Sequence, residues 1–184
     1  MMIFCPKCFS NVDASIVHRK ETYPVKGDQI IIDAKVCVCP NCGEAIWVAS
    51  VDEDNLKKAY CAYQHKHKLL LPAQIKRIRE KYSLSQSAFA KILGFGEKTI
   101  TRYENGYIQD ESPNNLIYLV DDPTAFQALY EKNKNKISKD EQLNVEQALD
   151  RLLGRYETPY FSGSQYDFAG CTSTFVGFLG DNAS

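Results

Sequence analysis

Two pairs of cysteines carry the strongest chemical signal in this chain: Cys5-Pro6-Lys7-Cys8 and Cys39-Pro40-Asn41-Cys42. A C-x2-C turn aims two thiolates at one point, and a tetrahedral zinc ion takes four such ligands at about 2.3 Å. With Cys5, Cys8, Cys39 and Cys42 all engaged, no coordination position stays open. The expected cofactor is therefore one structural Zn2+ per chain. A redox disulfide would need only one such pair. Pro after each first cysteine shapes the knuckle, and Gly43 suits the backbone turn that follows. Cys37 lies close by and reads as a small strand residue, while Cys61 and Cys171 stand at neither knuckle. His65 and His67 fall in a Lys-rich stretch and read as a solvated helix face. No H-E-x-x-H motif is present, and carboxylate-rich stretches fall at helix starts, so no catalytic residue is expected.

The second candidate chemistry is cationic. The whole chain has a net charge of -1, so any attraction for nucleic acid must be local. Between Pro72 and Tyr107, seven Lys and Arg face three Glu, a local positive excess of the kind phosphate binding requires. Lys98 and Arg102 are four apart and share one helical face. Arg can clamp guanine O6 and N7 together, and Lys can reach a phosphate or the same base edge. Thr101 lies beside them, and Gln86 opens the preceding helix, placed for a phosphate or a base. The bland alternative is a helical core with charged, solvated faces.

These residues need elements to hold them. Ile16 to Tyr23 and Gln29 to Val38 read as two strands joined at Lys26-Gly27-Asp28. A hairpin closed by knuckles at its base is a zinc ribbon, too small to fold without help from its metal. Trp47 is expected to plug its core. Asn55 to Lys68 reads as a linker helix or semi-ordered connector, with Asp52-Glu53-Asp54 at its acidic start. Pro72 then opens a helix carrying Ile75 and Ile78. Ser85 caps a second helix over Gln86 to Leu93, and Gly94-Phe95-Gly96 makes the tight turn. A third helix runs from Glu97 to about Asn105, with Ile100 and Tyr103 inward.

The chain continues with helices over Asn114 to Val120 and Thr124 to Glu131, then Ser138-Lys139-Asp140-Glu141 as a capping box. Leu143 or Val145, then Leu149 and Leu152-Leu153, give the last helix an apolar stripe that completes the domain or a dimer contact. Beyond Gly154 the composition shifts: Tyr160, Phe161, Tyr166, Phe168, Phe175 and Phe178 are spaced by Gly, Ser and Thr. That segment reads as a flexible tail or as a partner-binding one. The expected class is α+β: a zinc ribbon (1–50), a linker helix (51–71), a helix-turn-helix (72–120), a helical extension (121–154) and a tail (155–184). No apolar run approaches the ~20 residues of a membrane span. No secretory pattern opens the chain, so a cytoplasmic protein is expected.

Leu84-Ser85-Gln86, Phe89-Ala90, Gly94-Phe95-Gly96 and Ile100 through Gly106 resemble the phage-repressor (XRE) helix-turn-helix. Preceded by the double C-x2-C ribbon, the combination resembles the MqsA (YgiT-type) antitoxin family over roughly Ile3 to Leu119. That resemblance implies zinc at the four cysteines and principal base readers at Lys98 and Arg102. Family members commonly carry an amide at the first of these, so Lys98 departs from the pattern and puts the operator sequence in question. It also implies a homodimer on a palindromic operator and a ribbon half that contacts a protein toxin, a ribonuclease in the best-known members. Some toxin–antitoxin loci add a SecB-like chaperone that holds an apolar antitoxin extension, and the tail is similar in character. The expected function is thus a non-enzymatic antitoxin that neutralises a toxin and represses its own operon. The alternative is a stand-alone zinc-containing transcriptional regulator.

Overall fold

A computed structural model describes residues 1–154; the aromatic segment with Tyr160, Phe161, Tyr166, Phe168, Phe175 and Phe178 lies outside the described residues. The fold is α+β, antiparallel strands followed by helices. A short ribbon pairs β1 (Met2–Cys5) with β2 (Ser10–Asp13), and a second sheet runs β3 (Ser15–Val25), β4 (Asp28–Val38), β5 (Ala45–Ile46). Strands β3 and β4 pair in unbroken register from Ser15↔Val38 to Val25↔Asp28. The two-residue turn between them, Lys26-Gly27, has φ of 46° and 90°. Two positive φ values are what a tight hairpin turn needs to match strand twist.

Strand β4 alternates as a half-buried strand must, turning Ile30, Ile32, Ala34 and Val36 inward. Helix α1 (Ala49–Lys66) covers that face with Ala59 and Tyr63. It is therefore a packed helix and not a semi-ordered connector. Asn55 fixes it in register: its Nδ2 donates to the Lys35 carbonyl at 2.7 Å and its Oδ1 accepts from the Lys35 amide at 2.9 Å. The side-chain amide thus stands in for a missing strand neighbour. His67 leans on Asp28 at 2.7 Å and stacks on Tyr63, as a surface histidine and not as half of a ligand pair.

Trp47 corrects an expectation. It is 75% exposed, and Ile46 fills the ribbon core instead. Strand alternation turns Ile46 inward, and the residue after it faces out.

The helical part comprises α2 (Pro72–Lys81), α3 (Gln86–Leu93), α4 (Thr99–Glu104), α5 (Glu111–Leu119), α6 (Pro123–Asn133), a 3-10 turn (Lys134–Lys136) and α7 (Lys139–Leu152). Ser85 caps α3 by accepting from the Ala88 amide at 3.1 Å, and Gly94 ends it with φ 76°. Helix α4 is shorter than expected: Glu97 and Lys98 form a turn, and Lys98 occupies the half-in cap position. Ile100 is fully buried, Tyr103 half-buried.

Helices α6 and α7 belong to the same core. Phe126, Tyr130, Ile137, Val145 and Leu149 pack with Ile75, Ile78, Tyr82, Phe89 and Ile92. Val145 takes the inward place while Leu143 stays 55% exposed. Ser138 makes the reciprocal capping box with Glu141. Ser138→Ala should cost about 1 kcal/mol, read as a lowered melting temperature of the helical core; an unchanged melt would leave the cap without energetic weight.

The two halves meet at a seam of buried amides. Gln64 of α1 donates to Gln109 Oε1 at 3.2 Å. Gln109 donates to the Leu70 carbonyl at 2.6 Å and to Asn114 Oδ1 at 3.1 Å. Asn114 Oδ1 in turn accepts from the Leu70 amide at 2.8 Å. On the same side, Lys26 at the hairpin tip pairs with Asp110 at 2.6 Å.

Candidate metal centre and nucleic-acid interface

The knuckles place four sulfurs at one point. Cys5 ends β1 and Cys8 follows its turn; Cys39 follows β4 and Cys42 precedes β5. The sulfurs of Cys5, Cys8, Cys39 and Cys42 all lie within 4.8 Å of one another. Cys5 and Cys42 approach to 3.7 Å, Cys8 and Cys39 to 3.8 Å. A tetrahedron with zinc–sulfur arms of about 2.3 Å has edges of about 3.8 Å; two of the sulfur–sulfur distances match that edge, and the four cysteines together could hold a metal ion. Backbone geometry is consistent with this: the Cys8 amide points at Cys5 Sγ at 3.4 Å, and Gly43, at φ 70°, donates to the Cys39 carbonyl at 2.9 Å.

Electrostatics point the same way. Burial pushes the Cys39 thiol up, but the amides of Cys42 and Asn41 outweigh it and bring it down to about 7. Hydrogen bonding from Cys42, then burial, push Cys8 up to about 12. Four thiols this close cannot all ionise unaided, and a bound divalent cation removes that conflict. Zinc would be held by these four and would supply folding free energy with no position left for substrate. Cys37 is buried beside Cys5 and Cys39 but stands outside the four.

The second candidate site lies on α3 and α4. Five of the seven basic residues between Pro72 and Tyr107 are engaged with carboxylates: Lys76 with Glu80, Arg77 and Lys81 with Asp121, Arg79 with Glu104, and Lys91 with Glu97. Lys98 and Arg102 make no ion pair among the described residues, and both are exposed at the start and the end of one α4 turn. The Arg102 amide donates to the Lys98 carbonyl at 3.1 Å, so they keep the i, i+4 relation although Lys98 only caps the helix.

Gln86 and Thr101 are brought together with each other. Thr101 Oγ1 donates to Gln86 Oε1 at 2.7 Å, and Gln86 Nε2 donates to Glu104 Oε2 at 2.7 Å. Glu104 also accepts from Arg79 Nε at 2.6 Å and Nη2 at 2.9 Å, while Arg79 Nη1 donates to the Leu84 carbonyl at 2.8 Å. This buried pair was missed by counting Arg79 among the surface cations. The signal was present in the spacing: positions 75, 78, 79 and 82 form one helical face, and all four are buried.

A family model for the antitoxin component of bacterial toxin–antitoxin systems, MqsA, matches residues 3–123. The chain belongs to the MqsA antitoxin family. The match spans the ribbon, α1 and the helices through α5, and ends at the first residue of α6. Helix α6 after its first residue and all of α7 lie beyond the match, although they pack into one core with the matched helices. No curated protein matches the chain. Among the described residues no helix is long and apolar enough to cross a membrane.

Proposed function

We propose that this MqsA-family antitoxin is a non-enzymatic cytoplasmic repressor that neutralises a partner toxin and binds its own operator through α3 and α4, with one structural zinc in the ribbon. The observation that carries the DNA reading is the distribution of charge. Where five cations of the helix-turn-helix are spent on carboxylates, the two left over are Lys98 and Arg102, on the helix that enters a major groove in such folds. The bonds from Gln86 to Thr101 and Glu104 support a role for Gln86 and Thr101 as a braced contact beside them.

The ribbon carries Met2, Phe4, Phe9 and Trp47 exposed, apolar surface of the kind that protein partners cover. It is our candidate toxin contact. Tyr107, Tyr118 and Leu119 are exposed on the helical half and support a homodimer on a palindromic operator. The proposed division is 1–50 for the ribbon, 51–71 for the connecting helix, 72–120 for the helix-turn-helix and 121–154 for the extension. A SecB-like chaperone remains the proposed partner of 155–184.

The test pairs two assays on the full chain. Arg102→Ala should weaken binding to a duplex from the chain's own promoter by about 1–3 kcal/mol and relax specificity at one base pair per half-site. Capture of the tagged chain should retain a small stoichiometric protein that Trp47→Ala or Phe9→Ala releases. Equal affinity and specificity in the Arg102 variant would remove it from the readers. Capture of DNA without any protein would favour the stand-alone regulator.

A further inference from the structure

We propose that the turn joining α6 to α7 is a second DNA contact, one that grips backbone phosphates flanking the groove read by α4. This rests on the DNA reading above and concerns residues beyond the family match.

Placement comes first. Asn133 Nδ2 donates to the Ile92 carbonyl at the C-terminal end of α3 at 3.0 Å, and Ser85 Oγ, at the opposite end, donates to Glu141 Oε1 at 2.8 Å. The segment between therefore runs the length of α3, the first helix of the reading unit. It is also fixed: Gln142 Nε2 donates to the carbonyls of Lys134 at 2.8 Å and Ile137 at 3.2 Å, and Ile137 is buried in the common core. A pre-set turn loses little further entropy when it meets a ligand.

Charge comes second. Lys134 is paired with Glu131, but Lys132, Lys136 and Lys139 are exposed and reach no carboxylate among the described residues. Over residues 72–154 the cations without a carboxylate partner are thus Lys98 and Arg102, these three, and Arg151 at the far end of α7. Glu141, between these lysines and α3, stays ionised and offsets part of their charge. Burial pushes its carboxyl up, but Ser85, the Ser138 amide and the charge of Lys91 bring it below the ordinary range. Lys91, in turn, holds Glu97 at the start of the recognition turn at 3.0 Å. Lys91 thus stands between the recognition turn, through Glu97, and the α6–α7 connection, through Glu141.

Three flexible, exposed ammonium groups suit phosphate oxygens and carry no base code. The contact should add affinity without adding specificity.

The experiment measures binding of the full chain to duplexes from its own promoter by fluorescence anisotropy over a salt series. The Lys132→Ala/Lys136→Ala/Lys139→Ala variant should melt with the wild type. Three phosphate contacts add about 2.7 to the slope of log affinity against log salt, so the wild-type advantage should shrink about 40-fold between about 50 and about 200 mM salt. Trimming the duplex to the groove read by α4 should cost the wild type its advantage and leave the variant unchanged. Asp140→Asn removes a carboxylate that makes no ion pair among the described residues and should strengthen binding. A triple variant with wild-type slope and affinity, while Arg102→Ala still weakens binding, overturns the second contact alone. A wild-type chain that binds no promoter duplex overturns both readings.

Discussion

Cys39→Ser, or removal of the metal by a strong chelator, is expected to unfold the knuckle end of the ribbon and leave the helical core melting as before. The buried cluster there consists of Cys5, Val12, Ala14, Cys37, Cys39 and Ile46, small side chains that bury little apolar area. Structural zinc contributes about 10–16 kcal/mol to comparable small sites, far more than such a cluster can replace. A serine hydroxyl is a poor fourth ligand beside three thiolates. The loss should stop partway along the hairpin, because Val25, Ile30, Ile32 and Ala34 have their own packing against Ala59 and Tyr63. Amide exchange should therefore accelerate over residues 2–13 and 37–46 and stay slow over 30–34. Uniform protection throughout the chelated protein would sink the zinc assignment; loss that spreads into residues 75–92 would sink the claim of separate cores.

Glu104→Ala should be the most damaging single change in the helical half. It leaves the Arg79 guanidinium buried, with the Leu84 carbonyl and, at 3.5 Å, the exposed Glu80 carboxylate as its remaining partners. Breaking such a pair from one side costs about 3–5 kcal/mol, a large part of the ~5–15 kcal/mol that holds a typical domain together. The Arg79→Met/Glu104→Leu double variant should recover most of that loss, since apolar replacement of both partners removes the uncompensated charge. Its DNA affinity should nonetheless stay low, because Gln86 loses the Glu104 oxygen that braces it. Urea melts of the three proteins measure the first effect and anisotropy titrations the second. A single variant destabilised by less than about 1 kcal/mol would show that water reaches Arg79 in place of Glu104.

What could be read in the sequence was local. The C-x2-C spacings, the Lys26-Gly27 turn, the Ser85 and Ser138 caps and the left-handed Gly94 each depend on residues within a few positions of one another. The structure brings the four cysteine sulfurs together and forms those caps and turns. What could not be read was set by partners far along the chain. Trp47 faces out because β5 ends after two residues and alternation continues past it. Helix α1 looked like a connector because two of the residues it buries, Asn55 and Gln64, are polar and give no apolar stripe. Arg79 meets Glu104 across 25 positions; its place on the face of Ile75, Ile78 and Tyr82 marks it as inward, but nothing local names its partner.

The amide seam of Gln64, Gln109, Asn114 and the Leu70 backbone has a mechanical consequence. Each of its bonds is directional, so sliding the halves by a fraction of an ångström would leave several dry donors and acceptors unmatched at once, at about 1–3 kcal/mol each. Full separation costs less per group, because water then satisfies all of them. Such a joint has no gentle gradient between closed and open; it behaves as a latch and not as a spring. A protein that seizes the hairpin tip at Lys26 pulls directly on Asp110, four residues after Gly106 and six after the end of α4. Traction on one end of the molecule would then reach the other as a discrete release.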